Sequence, residues 1–580
     1  MVRVSSLSAL ALLCSAVVGK EINMMGVAHS EEYISGAKHN EIMKIKMAHW
    51  DFEVASGAMN SELYPELGYT KCVDGFAAAI PGDFNNTFKC RNMDLYHFRS
   101  HASLGSAVQG QASSSWGWTS ADGREFVAIG QFDGTAFVEI SSEGKMIYLG
   151  RLPTWDALGA RWREIRVVKD LLVVGSEAFA HGIQLFDLTK LLTLDPANPT
   201  RFSQDDLASH WGVTSQGNAS EPWDKLPVGR THNVVVNEEL GYALAVGSVG
   251  GNVTTRVREN MPCNGGLIFL DISDPSNMKS TGCAAADFYV HDAQCVVYRG
   301  PDKRYEGRDI CYGYNEDTVT IFDVTGDKKI GNQTTIIARV SYEGAEYIHQ
   351  GVVLDLQNQE YLILDDEFDE VRATVGPATN KLPTTHIFDI RDLENPKYTG
   401  FYQGKVRTID HNQYVYDGFA YQSNYGAGFH IYDISSIPRD PTGKSVYEAA
   451  FFDIYPEDDE APGGGEVVFA GTWSSFAGFK SGWIYVNTIE RGSFILKATD
   501  KSPAKAPVCN ADNCLRAFRA NHIPGRLEES QEFCASYLAR QRDEGDVTKS
   551  YAKSACTRTI GLKAQVSSAC ACLPTATIPV

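Results

Sequence analysis

Short runs in which apolar and polar residues alternate recur along this chain from Ser115 to Thr499. A period of two is typical of strands that bury one face. Seven of these runs are alike. In six of them an acid follows the apolar core, and in the last Lys497 takes its place; turn-forming residues come next. The seven runs are residues 134–141, 181–189, 265–273, 317–325, 384–392, 427–435 and 491–499.

The clearest repeat unit spans Thr231–Pro275. It predicts an inner strand that opens on His232, a turn at Glu238–Gly241, a second strand, and a third strand that ends at Asp271. Seven such units with no helical run between them indicate radial repetition. We favour a β-propeller, because it removes exposed strand edges by closing a ring. The alternative fold is two stacked β-sandwiches.

We therefore predict an all-β fold, a seven-bladed β-propeller over residues 94–500, in which residues 94–105 supply the outer strand of the last blade. Residues 20–70 form an N-terminal extension, and residues 71–93 form a loop closed by a disulfide. Residues 501–580 form a Cys-rich, partly helical C-terminal module.

Residues 1–19 read as a secretory signal peptide, with Arg3 before an apolar run and a small residue at Gly19. The alternative is a membrane anchor, but the run is too short to span a bilayer. No later segment is long and apolar enough to do so, which predicts a secreted, extracellular protein. The net charge of −20 argues against nucleic acid as a partner, because nucleic-acid binding needs a basic surface.

The chain has 13 cysteines, and one of them lies in the signal peptide. An even number in an oxidising compartment favours disulfides over metal thiolates. Local spacing predicts three pairs, Cys72–Cys90, Cys263–Cys283 and Cys295–Cys311, and six tail cysteines that pair among themselves with open connectivity. Sequons for N-glycosylation fit the same compartment and lie at Asn85, Asn218, Asn252 and Asn332.

Several long strings carry a family resemblance, among them GRTHNVVVNEELGYALAVG, GLIFLDISDP, YVHDAQCVVYRGPD, YLILDDEFDE and IDHNQYVYDG. They resemble the choice-of-anchor B family, whose members are built on LVIVD-type propeller repeats. The resemblance covers roughly residues 72–500 and implies a propeller in an extracellular setting, with no established activity. The tail strings FCASYL and VSSACACL are similar to a Cys-rich terminal module of secreted fungal proteins.

Four predicted inner strands open on histidine, about 60 residues apart: His232, His291, His349 and His411. The first residues of the innermost strands surround the propeller axis, so four imidazoles would face one opening. Imidazole suits Zn, Cu, Fe and Ni, which makes this a candidate site for a divalent transition metal. The alternative is that each histidine bonds a neighbouring blade's backbone and staples the ring.

Clustered carboxylates form a second constellation at Asp365, Asp366, Glu367 and Asp369. Such a cluster suits Ca²⁺, although a solvated acidic rim is an equally good interpretation. The sequence has no nucleophile elbow, P-loop or dinucleotide fingerprint. We therefore predict a secreted binding or interaction protein. Its ligand is an extracellular protein or glycan that the sequence does not identify. The alternative is a metal-dependent hydrolase or oxidoreductase that uses the four histidines.

Overall fold

The structure is a computed structural model. It describes residues 29–107, 111–155, 159–212, 226, 229–248, 262–502, 513–520, 522–539, 545, 547–556 and 562–573. The chain divides into two compact units, residues 1–501 and 502–580. The predicted signal peptide at 1–19 and the sequons at Asn218 and Asn252 lie outside the described residues.

The first unit is built from short strands that pair antiparallel, except that the strand at Thr200–Arg201 pairs parallel with the strand at Met146–Pro153. Its strands are β1 (Phe76–Ala78), β2 (Thr87–Arg91), β3 (Met93–Ser100), β4 (Ala112–Thr119), β5 (Glu125–Gln131), β6 (Gly134–Ile140), β7 (Met146–Pro153), β8 (Arg163–Val168), β9 (Leu171–Ser176), β10 (Ile183–Asp187), β11 (Thr200–Arg201), β12 (Ser209–Trp211), β13 (Asn233–Asn237), β14 (Tyr242–Val246), β15 (Leu267–Asp271), β16 (Lys279–Ala284), β17 (Asp292–Val297), β18 (Asp309–Tyr314), β19 (Val319–Asp323), β20 (Thr335–Val340), β21 (Ile348–Val353), β22 (Tyr361–Asp366), β23 (Thr384–Asp389), β24 (Lys397–Gln403), β25 (Gln413–Tyr416), β26 (Phe419–Ser423), β27 (Phe429–Asp433), β28 (Tyr447–Phe452), β29 (Thr472–Phe476), β30 (Ile484–Thr488) and β31 (Gly492–Ala498).

Helices lie at the two ends of the chain and at one point within the ring. They are α1 (Glu31–Ile34), α2 (Ala37–Ser56), α3 (Asp369–Arg372), α4 (Asn513–Phe518), α5 (Arg526–Ala539), α6 (Ser550–Ala555) and α7 (Leu562–Ala571).

The strands form a seven-bladed β-propeller, as the repeats predict. From inside outward, the blades are β4–β7, then β8, β9, β10 and β12, and then β13–β16, β17–β20, β21–β24, β25–β28 and β29–β31 with β3. Each innermost strand packs beside the innermost strand of the next blade, and β29 packs beside β4, so the ring is closed. Residues 94–105 were predicted to supply the outer strand of the last blade. The outer strand is β3 (Met93–Ser100), which pairs antiparallel with β31.

The acid that ends most third strands has a local role. Asp271 accepts hydrogen bonds from the Ser273 amide at 3.0 Å and the Ser273 hydroxyl at 2.6 Å. Asp433 does the same with Ser435. A carboxylate that bonds the backbone two residues later begins a tight turn, which explains why an acid follows the apolar core in the repeat.

Residues 71–93 add strands to the sixth blade rather than forming a separate loop. Strand β2 pairs with β28, and β1 pairs with β2, so this sheet has six strands. Arg91 of β2 lies 2.8 Å from the Glu448 carboxylate of β28, which His430 and Lys405 also approach at 3.0 and 3.2 Å. Burial would raise the pKa of Glu448, but His430 and the two cations outweigh it and lower that pKa to about 2.

Disulfides join the three local pairs as predicted, Cys72–Cys90, Cys263–Cys283 and Cys295–Cys311. In the second unit Cys514–Cys556 joins α4 to the end of α6, and Cys534–Cys570 joins α5 to α7. These four tail cysteines therefore pair among themselves. Such bonds are consistent with an extracellular protein. Within the described residues, every helix is too short or too polar to cross a membrane. The sequon residues Asn85 and Asn332 are both exposed.

Candidate functional site

The repeat register brings the four predicted histidines to one mouth of the propeller. His232 and His291 directly precede β13 and β17, His349 lies in β21, and His411 lies two residues before β25. Their rings follow one another as an arc, with successive centroids 4.3, 4.2 and 4.5 Å apart. All four side chains are buried. Blade 2 contributes Trp162 to the same small cavity, and blade 7 contributes Trp473.

Each ring turns Nδ1 outward to a neighbouring group. The Nδ1–H of His291 donates to the backbone carbonyl of His349 at 2.9 Å, and that of His411 donates to the carbonyl of Trp473 at 2.7 Å. His232 and His349 instead turn Nδ1 to carboxylates, Glu177 at 2.7 Å and Asp365 at 3.0 Å. A carbonyl can only accept, so neutral His291 and His411 carry a lone pair on Nε2.

The Nε2 atoms face the interior in two groups. Those of His232 and His291 lie 2.7 Å apart, a contact that needs a proton on one of them, and His232 can carry it beside the Glu177 carboxylate. On the other side, Nε2 of His349 lies 3.9 Å and Nε2 of His411 lies 3.6 Å from the Glu367 carboxylate. Two of the four nitrogens, those of His232 and His291, therefore form a pair. The other two form a trio with the Glu367 carboxylate.

The trio has the spacing of a metal site. The ligand atoms of His349, Glu367 and His411 all lie within 4.8 Å of one another, and no other group of three such side chains among the described residues does so. Two ligands at about 2.1 Å from one ion are at most about 4.2 Å apart, so the 3.6 and 3.9 Å separations fit a shared ion. The buried Nε2 of His411 has no hydrogen-bond partner.

The environment keeps three of the histidines neutral. Burial lowers the pKa of His411 to about 4 and holds the pKa values of His291 and His349 well below their usual range. Neutral imidazole is the form that binds a metal. Burial would raise the pKa of Glu367, but the Lys46 ammonium and the Tyr425 hydroxyl outweigh it, so this carboxylate stays ionised. The free space among the rings is about 20 Å³, enough for one water molecule or one ion.

The predicted calcium residues do not share one site. Asp365 faces His349 and the Gln350 amide, and Asp366 accepts from Tyr342 and from backbone amides. Asp369 faces His386, and Glu367 joins the histidines. All four are buried, so they are not a solvated rim either. Asp365 and Asp366 end β22, Glu367 follows the strand, and Asp369 begins α3, so the four carboxylates have separate partners.

Helix α2 covers the opening that the four histidines were predicted to face. Lys46 of this helix contacts the Glu367 carboxylate, which the Tyr425 hydroxyl also contacts. Sequence reasoning missed Lys46 and Glu177. A signal existed for Lys46, because it lies four residues from both Ile42 and Trp50 on one helix face. Glu177 follows a buried strand without any motif.

A larger groove lies at the opposite mouth. It has a volume of about 990 Å³ and is lined by Val353 and Tyr416, which end the strands that begin at the histidines, together with Phe479, Lys497 and Lys501.

No protein-family model matches the chain, and no curated protein matches it. Among solved structures, the C-terminal WD40 domain of Sif2 is 9% identical and covers 76% of this chain and 98% of its own, with a TM-score of 0.37. A candidate 6-phosphogluconolactonase from Bacteroides fragilis is 12% identical and covers 66% of this chain and 92% of its own, with a TM-score of 0.35. Likenesses of this size carry no argument about function.

Proposed function

We propose that this protein is a secreted β-propeller of the choice-of-anchor B type that binds a divalent transition metal at its axis. His349, His411 and Glu367 hold the ion, and His232 and His291, next along the arc, are candidates for the remaining positions. The observation that carries the proposal is the buried, unpartnered Nε2 of His411 beside the Glu367 carboxylate.

The donor set favours a transition metal over Ca²⁺. Two imidazoles and one carboxylate suit Zn, Cu, Fe or Ni, whereas calcium takes six to eight oxygens. The Nδ1 contacts to the Trp473 carbonyl and to Asp365 orient the two rings, and such outer contacts are the usual support of histidine ligands. The metal site and the staple are compatible, because in these two rings Nδ1 bonds a neighbouring group while Nε2 stays available for a metal.

While α2 is docked, it closes the mouth at which a substrate would meet the histidines, so this state of the protein favours binding over catalysis. Trp50 of α2 is 1% exposed and packs among Trp162 and Trp473. The open groove at the opposite mouth offers a surface for a larger extracellular ligand, a protein or a glycan. The enzymatic alternative would require a route past α2.

Metal content tests the proposal. Elemental mass spectrometry of the untagged protein from culture medium should find about one equivalent of a transition metal per chain, either as purified or after incubation with Zn²⁺ and dialysis. His411→Ala should lose it. His101→Gln is the matched control, because His101 is a buried histidine that contacts the Thr488 carbonyl away from the axis. A folded protein that takes up no metal in either condition would refute the site.

A further inference from the structure

One helix of the N-terminal extension contacts loops from four blades. His39 of α2 lies 2.9 Å from Glu316 in blade 4, and the Trp50 indole N–H donates to the Phe469 carbonyl at 2.7 Å before blade 7. Asp51 pairs at 2.8 Å with Arg161 before blade 2. Since Lys46 contacts Glu367 in blade 5, α2 lies across the whole mouth.

The docked face of α2 is largely polar. Its buried residues, His39, Ile42, Lys46, Trp50 and Glu53, recur every three or four positions and form one stripe. A helix that served only to pack a core would place apolar residues there. Gly36 and Gly57 bound the helix in left-handed conformations, with φ of 76° and 87°. The face of α2 is therefore matched to a charged pocket.

The ammonium of Lys46 lies in the histidine site. Its side chain is 4% exposed and pairs with Glu367, one of the proposed metal ligands. Lysine is almost never this buried unless it is paired. Burial is the main cause of the low pKa values of His291, His349 and His411, and the positive charge of Lys46 adds to each. One cation thus already acts on three of the four imidazoles.

We propose that Lys46 is a built-in cation that occupies the place of the metal, so that a docked α2 and a metal-loaded site exclude each other. This inference rests on the proposed metal site and adds its regulation. Glu367 carries one negative charge, which cannot balance an ammonium and a divalent ion together in a buried site. Metal entry must therefore displace Lys46, and with it the helix from the mouth.

The test uses the full chain and Zn²⁺ alone. Zn²⁺ affinity is measured by competition with a chromophoric chelator, and docking by the rate of proteolysis within residues 29–57. In the unmodified protein Zn²⁺ should accelerate cleavage severalfold. Lys46→Met removes the charge at similar length, so it should bind Zn²⁺ at least about tenfold more tightly, and Zn²⁺ should no longer accelerate cleavage.

Lys38→Met is the matched control, because Lys38 lies on the same helix and pairs with Glu346 at the rim. It should keep the acceleration by Zn²⁺. Lys46→Met leaves Glu367 buried without its cation, so Lys46→Gln, which is neutral but can donate a hydrogen bond to Glu367, is the second variant if Lys46→Met does not fold. It should also bind Zn²⁺ more tightly than the unmodified protein and show proteolysis that Zn²⁺ does not accelerate.

Two results separate the claims. If the unmodified protein binds Zn²⁺ while residues 29–57 stay protected, and Lys46→Met binds it no more tightly, the exclusion is refuted and the metal site stands. If neither protein binds Zn²⁺, even after proteolysis of the helix, the proposed function is refuted and the inference with it.

Discussion

Replacing Trp50 by alanine should release α2 from the propeller without unfolding the ring. The Trp50 ring lies 5.3 Å from Trp162 and 6.1 Å from Trp473, and its N–H bonds the Phe469 carbonyl. Truncating a buried tryptophan costs about 3–5 kcal/mol, and losing its hydrogen bond adds about 1 kcal/mol. This cost falls on docking of the helix, because the blades pair with one another independently of it.

Backbone hydrogen exchange of residues 37–56 measures the effect. A docking loss of about 4–6 kcal/mol should speed exchange there about a thousandfold or more, while exchange in the blade strands stays unchanged. Phe52→Ala is the control, because Phe52 lies on the same helix but is 65% exposed. It should change exchange little.

Either of two outcomes would refute this reasoning. Equal exchange in Trp50→Ala and Phe52→Ala would mean that the mouth does not hold the helix. Loss of protection throughout the blades would mean that α2 and the ring unfold as one unit.

Two further predictions concern the ring. The pKa of Glu448 is lowered from 4.5 to about 2, so its stabilisation is complete above pH 4.5 and is lost as pH falls towards 2. Glu448→Gln should therefore reduce the free energy of unfolding at pH 7 by about 3 kcal/mol and have almost no effect at pH 2, as chemical denaturation would show. Gly282→Ala should cost about 1–3 kcal/mol, because a Cβ would meet the Gly331 backbone at 2.3 Å. Gly68→Ala, with open space around it, should be neutral in the same assay, and equal effects would contradict the steric argument.

The blades and the position of the histidines were predictable because their causes are local and repeated. Alternation marks each strand, and the acid after the third strand makes a turn with the residue two positions later, as Asp271 does with Ser273. A recurring period then places equivalent residues at equivalent points of a ring. His232 and His411 could therefore be assigned to one mouth from their spacing alone.

Three features depended on contacts between residues far apart in the chain. Glu367 was assigned to an acidic cluster, yet it faces His411, because it directly follows β22 at the end of the blade where the histidines lie. Residues 71–93 gave no sign of pairing with β28, more than 350 positions away. Residues 20–70 were predicted only as an N-terminal extension, and the apolar pattern of α2 is weak, so nothing local indicated what this helix covers.

From the sequence alone, then, the repeat, the ring and the four-histidine arc could be determined, since each follows from a periodic pattern that acts within one blade. The tertiary structure alone decided that Lys46 reaches Glu367, 321 positions away, and that α2 closes the mouth. The physical reason is that a buried charge pair depends on which surfaces meet in space, and no periodicity in the chain records that meeting.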